Sequence, residues 1–105
     1  MVIAFYQTQS GRSPVVDYLR KLPLDERVEI DAVIEDLTVH GIDAPLVSMR
    51  HIIGKLWELR IFQTRIFYVM VKSNRMVLLH AYKKQGQKSP KNEIETARKR
   101  MAFFL

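Results

Sequence analysis

The chain begins with an unbroken apolar run, Val2 to Tyr6, which predicts a short strand buried on both faces. A polar loop, Ser10-Gly11-Arg12-Ser13, follows. Ser13-Pro14 supplies an N-cap and a proline at the first helical position. Val15, Leu19 and Leu22 then recur at helical spacing until Pro23 ends the helix. A second helix is predicted from about Asp25 to His40, with Ile30, Val33, Ile34 and Leu37 as its apolar stripe. Asp25 and Glu26 suit its positive N-terminal turn, and Gly41 suits its exit. Residues 41–54 show no period and read as irregular. Three strands are predicted next: Leu56–Phe62, Arg65–Lys72 and Arg75–Lys83. Gln63-Thr64 and Ser73-Asn74 are their hairpin loops. After a polar loop from Lys84 to Lys88, Ser89-Pro90 repeats the helix-start signal. Ile94, Ala97, Met101 and Phe104 mark the inner stripe of a last helix.

The predicted order is β-α-α-β-β-β-α. It specifies an α+β domain spanning residues 1–105, with a twisted, mainly antiparallel four-stranded sheet and helices packed on it. Length agrees with one domain, since 105 residues with 48% hydrophobic positions can form one core. The absence of Cys excludes a disulfide scaffold, a thiolate nucleophile and zinc sites built on Cys. No apolar run is long enough to span a membrane. The first residues lack the basic region and long apolar core of a signal peptide, so the expected compartment is the cytoplasm.

Charge changes the picture more. The net +6 is the remainder of two unlike halves. Residues 1–49 carry four basic and eight acidic side chains, net −4; residues 50–105 carry thirteen basic and three acidic, net +10. The second half is a plausible footprint for a polyanion, while the acidic second helix reads as a solvated face.

Pairing the strands through the two predicted hairpins sets Arg60 opposite Phe67, Phe67 opposite His80 and Arg65 opposite Tyr82. One sheet face then carries Trp57, Leu59, Ile61, Val77, Leu79 and other apolar residues, a helix-packing core. The other has an apolar end, Val69, Val71, Met76 and Leu78, which another element should cover. Its polar end holds Glu58, Arg60, Phe62, Arg65, Phe67, His80 and Tyr82, with Lys84 on the loop beside it. Such a set suits RNA. Arginines bind phosphate with paired hydrogen bonds, and aromatic rings stack on unpaired bases. A His, Glu or Tyr can move protons at a 2′-OH, while Arg or Lys stabilises a phosphorane-like transition state. No metal-ligand set is apparent, since His40, His51 and His80 lie on different segments. No cofactor is expected.

The segments Leu56-Trp57-Glu58-Leu59-Arg60, Arg65-Ile66-Phe67-Tyr68, Leu79-His80-Ala81-Tyr82-Lys83-Lys84 and Lys88 to Ala97, in this order, resemble the phage-derived, HigB-like branch of the RelE/ParE toxin superfamily. The resemblance covers nearly the whole chain. It implies the toxin of a type II toxin–antitoxin pair, an endoribonuclease that enters the ribosomal A site and cuts mRNA by metal-free 2′-OH attack. It implies a small antitoxin partner, often a helix-turn-helix protein, and contact with operator DNA only through that antitoxin.

By position, Arg60 and Arg65 match the family's strand-borne arginines, and Lys84 its basic loop. His80 and Tyr82 match the terminal-strand residues near the phosphate. RelE proper has a lysine where this chain has Glu58, so Glu58 is either the general base or a brace for an arginine. Arg60 has a second reading as Glu58's surface partner, and His80 as a core histidine. Lys83, Lys88 and Lys91, with Phe67, are the expected RNA contacts. Two other functions stay open: a non-nucleolytic, ParE-like inhibitor of DNA gyrase, and an inactive homologue acting as a binding partner or co-repressor.

Overall fold

The computed structural model describes residues 1–45, 47–86 and 90–105. Its elements are β1 (Val2–Phe5), α1 (Pro14–Arg20), α2 (Leu24–His40), β2 (Ser48–Ile53), β3 (Leu56–Ile61), β4 (Thr64–Val71), β5 (Arg75–Lys83) and α3 (Lys91–Met101). The strands form one sheet in the order β1-β5-β4-β3-β2. β1 runs parallel to β5, and the other neighbours are antiparallel. The α+β class and three helices agree with the sequence reading. The sheet differs from it, having five strands instead of four.

The extra strand is β2, from the segment read as irregular. It is an edge strand whose side chains are mostly exposed, so it lacks the apolar alternation that marks a half-buried strand. Gly54, with φ of 55°, begins the two-residue turn into β3. A turn of this kind at such a position is itself a hairpin signal. β1 is the opposite edge and is half-buried, not enclosed: Ile3 and Phe5 pack on one face, Ala4 on the other.

Local signals hold the helices where expected. The Val16 N–H donates to Ser13 Oγ at 3.3 Å, with Pro14 opening α1. Gly41 takes φ of 68°, a left-handed conformation that ends α2. The Ser89 cap lies outside the described residues, and α3 starts from Pro90.

Two helices cover one sheet face and α3 covers the other. Val15, Leu19, Ile30 and Leu37 pack with Leu59, Ile66, Tyr68, Met76 and Leu78. Ala97, Ile94 and Met101 pack with Leu56, Phe67, Val69, Val77, Leu79 and Tyr82. Trp57 lies on the α2 side as expected, but near the open edge. There it is 38% exposed, edge-on to His51, and so it is not core.

The register differs in two places. The first hairpin loop is Phe62-Gln63, so Arg60 faces Arg65 and Glu58 faces Phe67. This slip of two residues preserves every face, because strand side chains alternate with period two. On β4–β5 the pairs Arg65–Tyr82 and Phe67–His80 form as expected, but a bulge follows between Phe67 and Tyr68. It exchanges the predicted faces of Met76 and Leu78 with those of Val77 and Leu79.

Candidate nucleic-acid interface

Adjacent strands bring Glu58, Arg60, Arg65, Phe67, His80 and Tyr82 onto the α3 side of the sheet. α3 then divides them by burial. Phe67 has no exposed surface, Glu58 is 1% exposed, and Arg65 and Tyr82 are 6% exposed. Buried polar groups need partners, and here they find each other. The Tyr82 hydroxyl donates to Glu58 Oε2 at 2.9 Å. Arg65 Nε stands 4.0 Å from Glu58 Oε1. Arg65 Nη1 donates to the carbonyls of Phe62 (2.6 Å) and Thr64 (3.1 Å). Phe62 is one of two non-glycine residues at positive φ among those described, and the guanidinium fastens its carbonyl at the hairpin tip. Glu58 therefore braces Arg65 and Tyr82. It does not pair with Arg60, which makes no ion pair among the described residues.

Phe67 has no ring face free for a base. Its ring stacks against Tyr82 at a centroid distance of 5.4 Å and against His80 at 6.4 Å. The ring that stands in solvent is Phe62, 62% exposed at the hairpin tip. Arg60 is exposed beside it, directly across from Arg65. The Lys84 N–H donates to the Gln63 carbonyl at 2.7 Å and ties the end of β5 to the same tip. Lys83 goes elsewhere. Paired with Thr64, it lines a separate cleft with Tyr18 and Glu26 on the α1–α2 side. Lys91 is exposed at the start of α3, and Lys88 lies outside the described residues.

Arg50 is a member that sequence reasoning missed. It is exposed on β2 opposite Glu58, while Ser48 faces Arg60, so Arg50 and Arg60 are diagonal neighbours on one face. Three arginines on three adjacent strands thus meet at one edge. Across the ladder Glu58 offsets the charge of Arg65, whereas the exposed Arg60 has no carboxylate partner among the described residues. The signal for Arg50 was the Gly54 turn, which would have placed it.

His80 is turned away from this edge. Arg100 Nη1 donates to His80 Nδ1 at 3.1 Å, which makes Nδ1 the acceptor and leaves the proton on Nε2. Nε2 stands 3.3 Å from Glu93 Oε1, at ion-pair distance but off the line of a good hydrogen bond. Burial lowers the His80 pKa below its ordinary 6.5; Glu93 opposes the shift and the Arg100 charge adds to it. As pH falls, the unfolded chain takes up its proton first. Neutral His80 therefore contributes stability above about pH 6.5, and this is lost as pH drops through the folded value. His80→Gln keeps an acceptor for Arg100 and does not titrate. Urea midpoints measured from about pH 7 down to about pH 5 are expected to fall less steeply in the variant. Equal slopes would show that His80 does not titrate with folding.

Other features add no chemistry at this edge. Burial raises the Tyr68 phenol to about 12, and its hydroxyl donates to Met49 Sδ on the α2 side. Among the described residues no three His, Asp or Glu side chains converge to hold a metal ion. Nor is any described helix long and apolar enough to cross a membrane.

No curated protein matches the chain. The family model described as Phage derived protein Gp49-like (DUF891) matches residues 17–102, a stretch that includes every strand of the arginine edge and all of α3. On that match the chain belongs to the phage-derived Gp49-like family of the RelE/ParE-like toxin superfamily, a family compatible with the toxin of a toxin–antitoxin pair and suggesting an antitoxin partner.

Proposed function

We propose that this protein is a HigB-like toxin of a type II pair that cuts mRNA in the ribosomal A site. The observation that supports this best is the convergence of Arg50, Arg60 and Arg65 at the Lys84 end of the sheet. In this reading a 2′-oxygen attacks the adjacent phosphorus. The new O–P bond forms as the bond to the 5′-oxygen breaks, leaving a 2′,3′-cyclic phosphate and a 5′-hydroxyl. One proton leaves the 2′-OH and one reaches the departing 5′-oxygen.

Arg60 and Lys84 hold the phosphate from the solvent side, and Arg65 adds charge from beneath. Tyr82 and Glu58 form the proton-bearing pair behind it. His80 positions α3 through Arg100 and Glu93. Lys83, Lys88 and Lys91 add attraction for RNA backbone at longer range. Action on the ribosome makes the cytoplasm its place of work. A helix-turn-helix antitoxin with an acidic segment would cover the arginine edge, and operator DNA would be reached through that antitoxin.

The test is expression without antitoxin. The pair Arg60→Ala and Lys84→Ala is expected to relieve growth arrest and to lower transcript cleavage by about 100-fold, with the fold intact by circular dichroism. Undiminished arrest in the double variant would remove this site. The enclosure of Glu58, Arg65 and Tyr82 in internal bonds favours a second reading, a ParE-like inhibitor of DNA gyrase. DNA damage with uncut transcripts after induction would establish it instead.

A further inference from the structure

β1 ends at Phe5, whose partner is Leu78, and the Tyr6 N–H donates to the Leu78 carbonyl as a last rung. β5 continues to Lys83. Among the described residues β5 therefore has no neighbouring strand on that side beyond Leu78, and the Thr8–Arg12 loop, α1 and the end of α3 stand around the gap. The result is a cleft of about 630 Å³ open to solvent, within the size range of small-ligand sites.

Three cations from three elements line it: Arg12 from the loop, Lys21 beyond α1 and Arg100 from α3. Against them stands one carboxylate, Asp17, which is held by Arg12 at 3.2 Å. Arg100 is the unusual member. Its Nη1 donates to the Leu79 carbonyl at 3.0 Å and to His80 Nδ1, and its guanidinium lies 5.2 Å from the Tyr6 ring centre. All three partners are neutral, and among the described residues no carboxylate lies within 4.0 Å of it. The Glu93 carboxylate acts on it only from beyond His80, outside ion-pair distance, and a planar oxyanion acceptor suits the edge that faces the cleft. Thr8 and Ser10, whose hydroxyls are bonded to each other at 3.0 Å, line the same cleft.

We infer that this cleft is a second phosphate subsite, in which Arg100, Arg12 and Lys21 take a phosphodiester of an RNA strand. It is separate from the Arg60 edge, since β5 and β3 are two strands apart in the sheet. The inference rests on the RNA reading above for its ligand class and on the three cations that line the cleft against one carboxylate for its place.

Fluorescence anisotropy of a labelled single-stranded RNA of about ten nucleotides, titrated with the full chain, tests it. Arg12→Glu with Lys21→Glu is expected to weaken binding at least about tenfold and to flatten its salt dependence. Arg98→Glu with Lys99→Glu makes the same change in net charge on the exposed face of α3 and is expected to stay within about twofold. Arg100→Lys keeps the charge but not the planar fork and is expected to weaken binding, with thermal melting confirming its fold. Equal losses in the two reversed pairs, or no loss in the first, would overturn the subsite. Full displacement of the RNA by a nucleoside 5′-monophosphate at micromolar concentration would overturn the phosphodiester assignment in favour of a free monoester. The measurement reads RNA held and not RNA cut, so a chain that binds without cleaving leaves this inference standing while removing the proposed activity.

Discussion

Arg65→Ala is expected to destabilise the fold by about 3 kcal/mol, whatever it does to activity. The guanidinium is buried, and three interactions hold it there: the Phe62 carbonyl, the Thr64 carbonyl and the Glu58 carboxylate. Alanine removes all three. It also takes a compensating charge away from a carboxylate that is 1% exposed, which is the costly half of breaking a buried pair. Two carbonyls at a tight hairpin lose a donor as well. Urea unfolding of the wild type, Arg65→Ala, Glu58→Gln and the double variant gives the coupling directly. The double variant should be less destabilised than the sum of the two singles, because a neutral amide in place of the Glu58 carboxylate no longer brings a charge into the gap. A loss below about 1 kcal/mol for Arg65→Ala would mean that the network contributes little. The result also bears on function. If Arg65→Ala abolishes toxicity, folding and chemistry are lost together, whereas exposed Arg60 separates them.

The parts of the fold that the sequence announced are those whose signals are local. Ser13-Pro14 opens a helix wherever it sits on an exposed polar-to-apolar boundary, and Gly41 closes one for reasons internal to the backbone. β4 and β5 are covered on both faces and are rich in apolar residues, so they could hardly be missed. β2 was missed because an edge strand needs little apolar surface; its stability comes from the ladder with β3 and the Gly54 turn. The bulge after Phe67 was also out of reach. Nothing in Leu78-Leu79-His80 distinguishes a continuous ladder from one that steps by a residue.

The candidate site was legible as a set of neighbours but not as a surface. Strand pairing alone put Arg65 across from Tyr82 and Phe67 across from His80, and both pairs form. What pairing could not supply was the path of α3. Its Ala97 packs closely on this face, so that Ile94 and Met101 close over Phe67 and Tyr82. A polar cluster drawn on a bare sheet became a buried network with an arginine rim. Arg100 shows the same lesson in reverse. On a helical wheel it belongs to a solvated basic end, yet the approach of α3 to β5 sets it against Leu79, His80 and Tyr6.

Phe67→Ala separates a packing role from a stacking one. If the ring were a platform for RNA bases, alanine would spare the fold and weaken binding, since a stacked base contributes about 1–3 kcal/mol. The structure leads to the opposite expectation. The ring is enclosed by Leu56, Val69, Leu79 and Tyr82 under Ala97, in a cluster whose members are almost wholly buried. Removing it leaves a cavity that neighbouring strands, fixed by their ladders, cannot close. The expected cost is about 3–5 kcal/mol, a large share of what holds a domain of this size together. Phe62→Ala provides the contrast. That ring stands in solvent at the hairpin tip, so its loss should change stability by no more than about 0.5 kcal/mol. Chemical denaturation of both variants measures the first effect, and anisotropy with labelled RNA measures the second. Weaker RNA binding by Phe62→Ala at unchanged stability would make Phe62 the aromatic contact of the arginine edge. A Phe67→Ala variant that folds as stably as the wild type would show that the α3 layer does not enclose the ring.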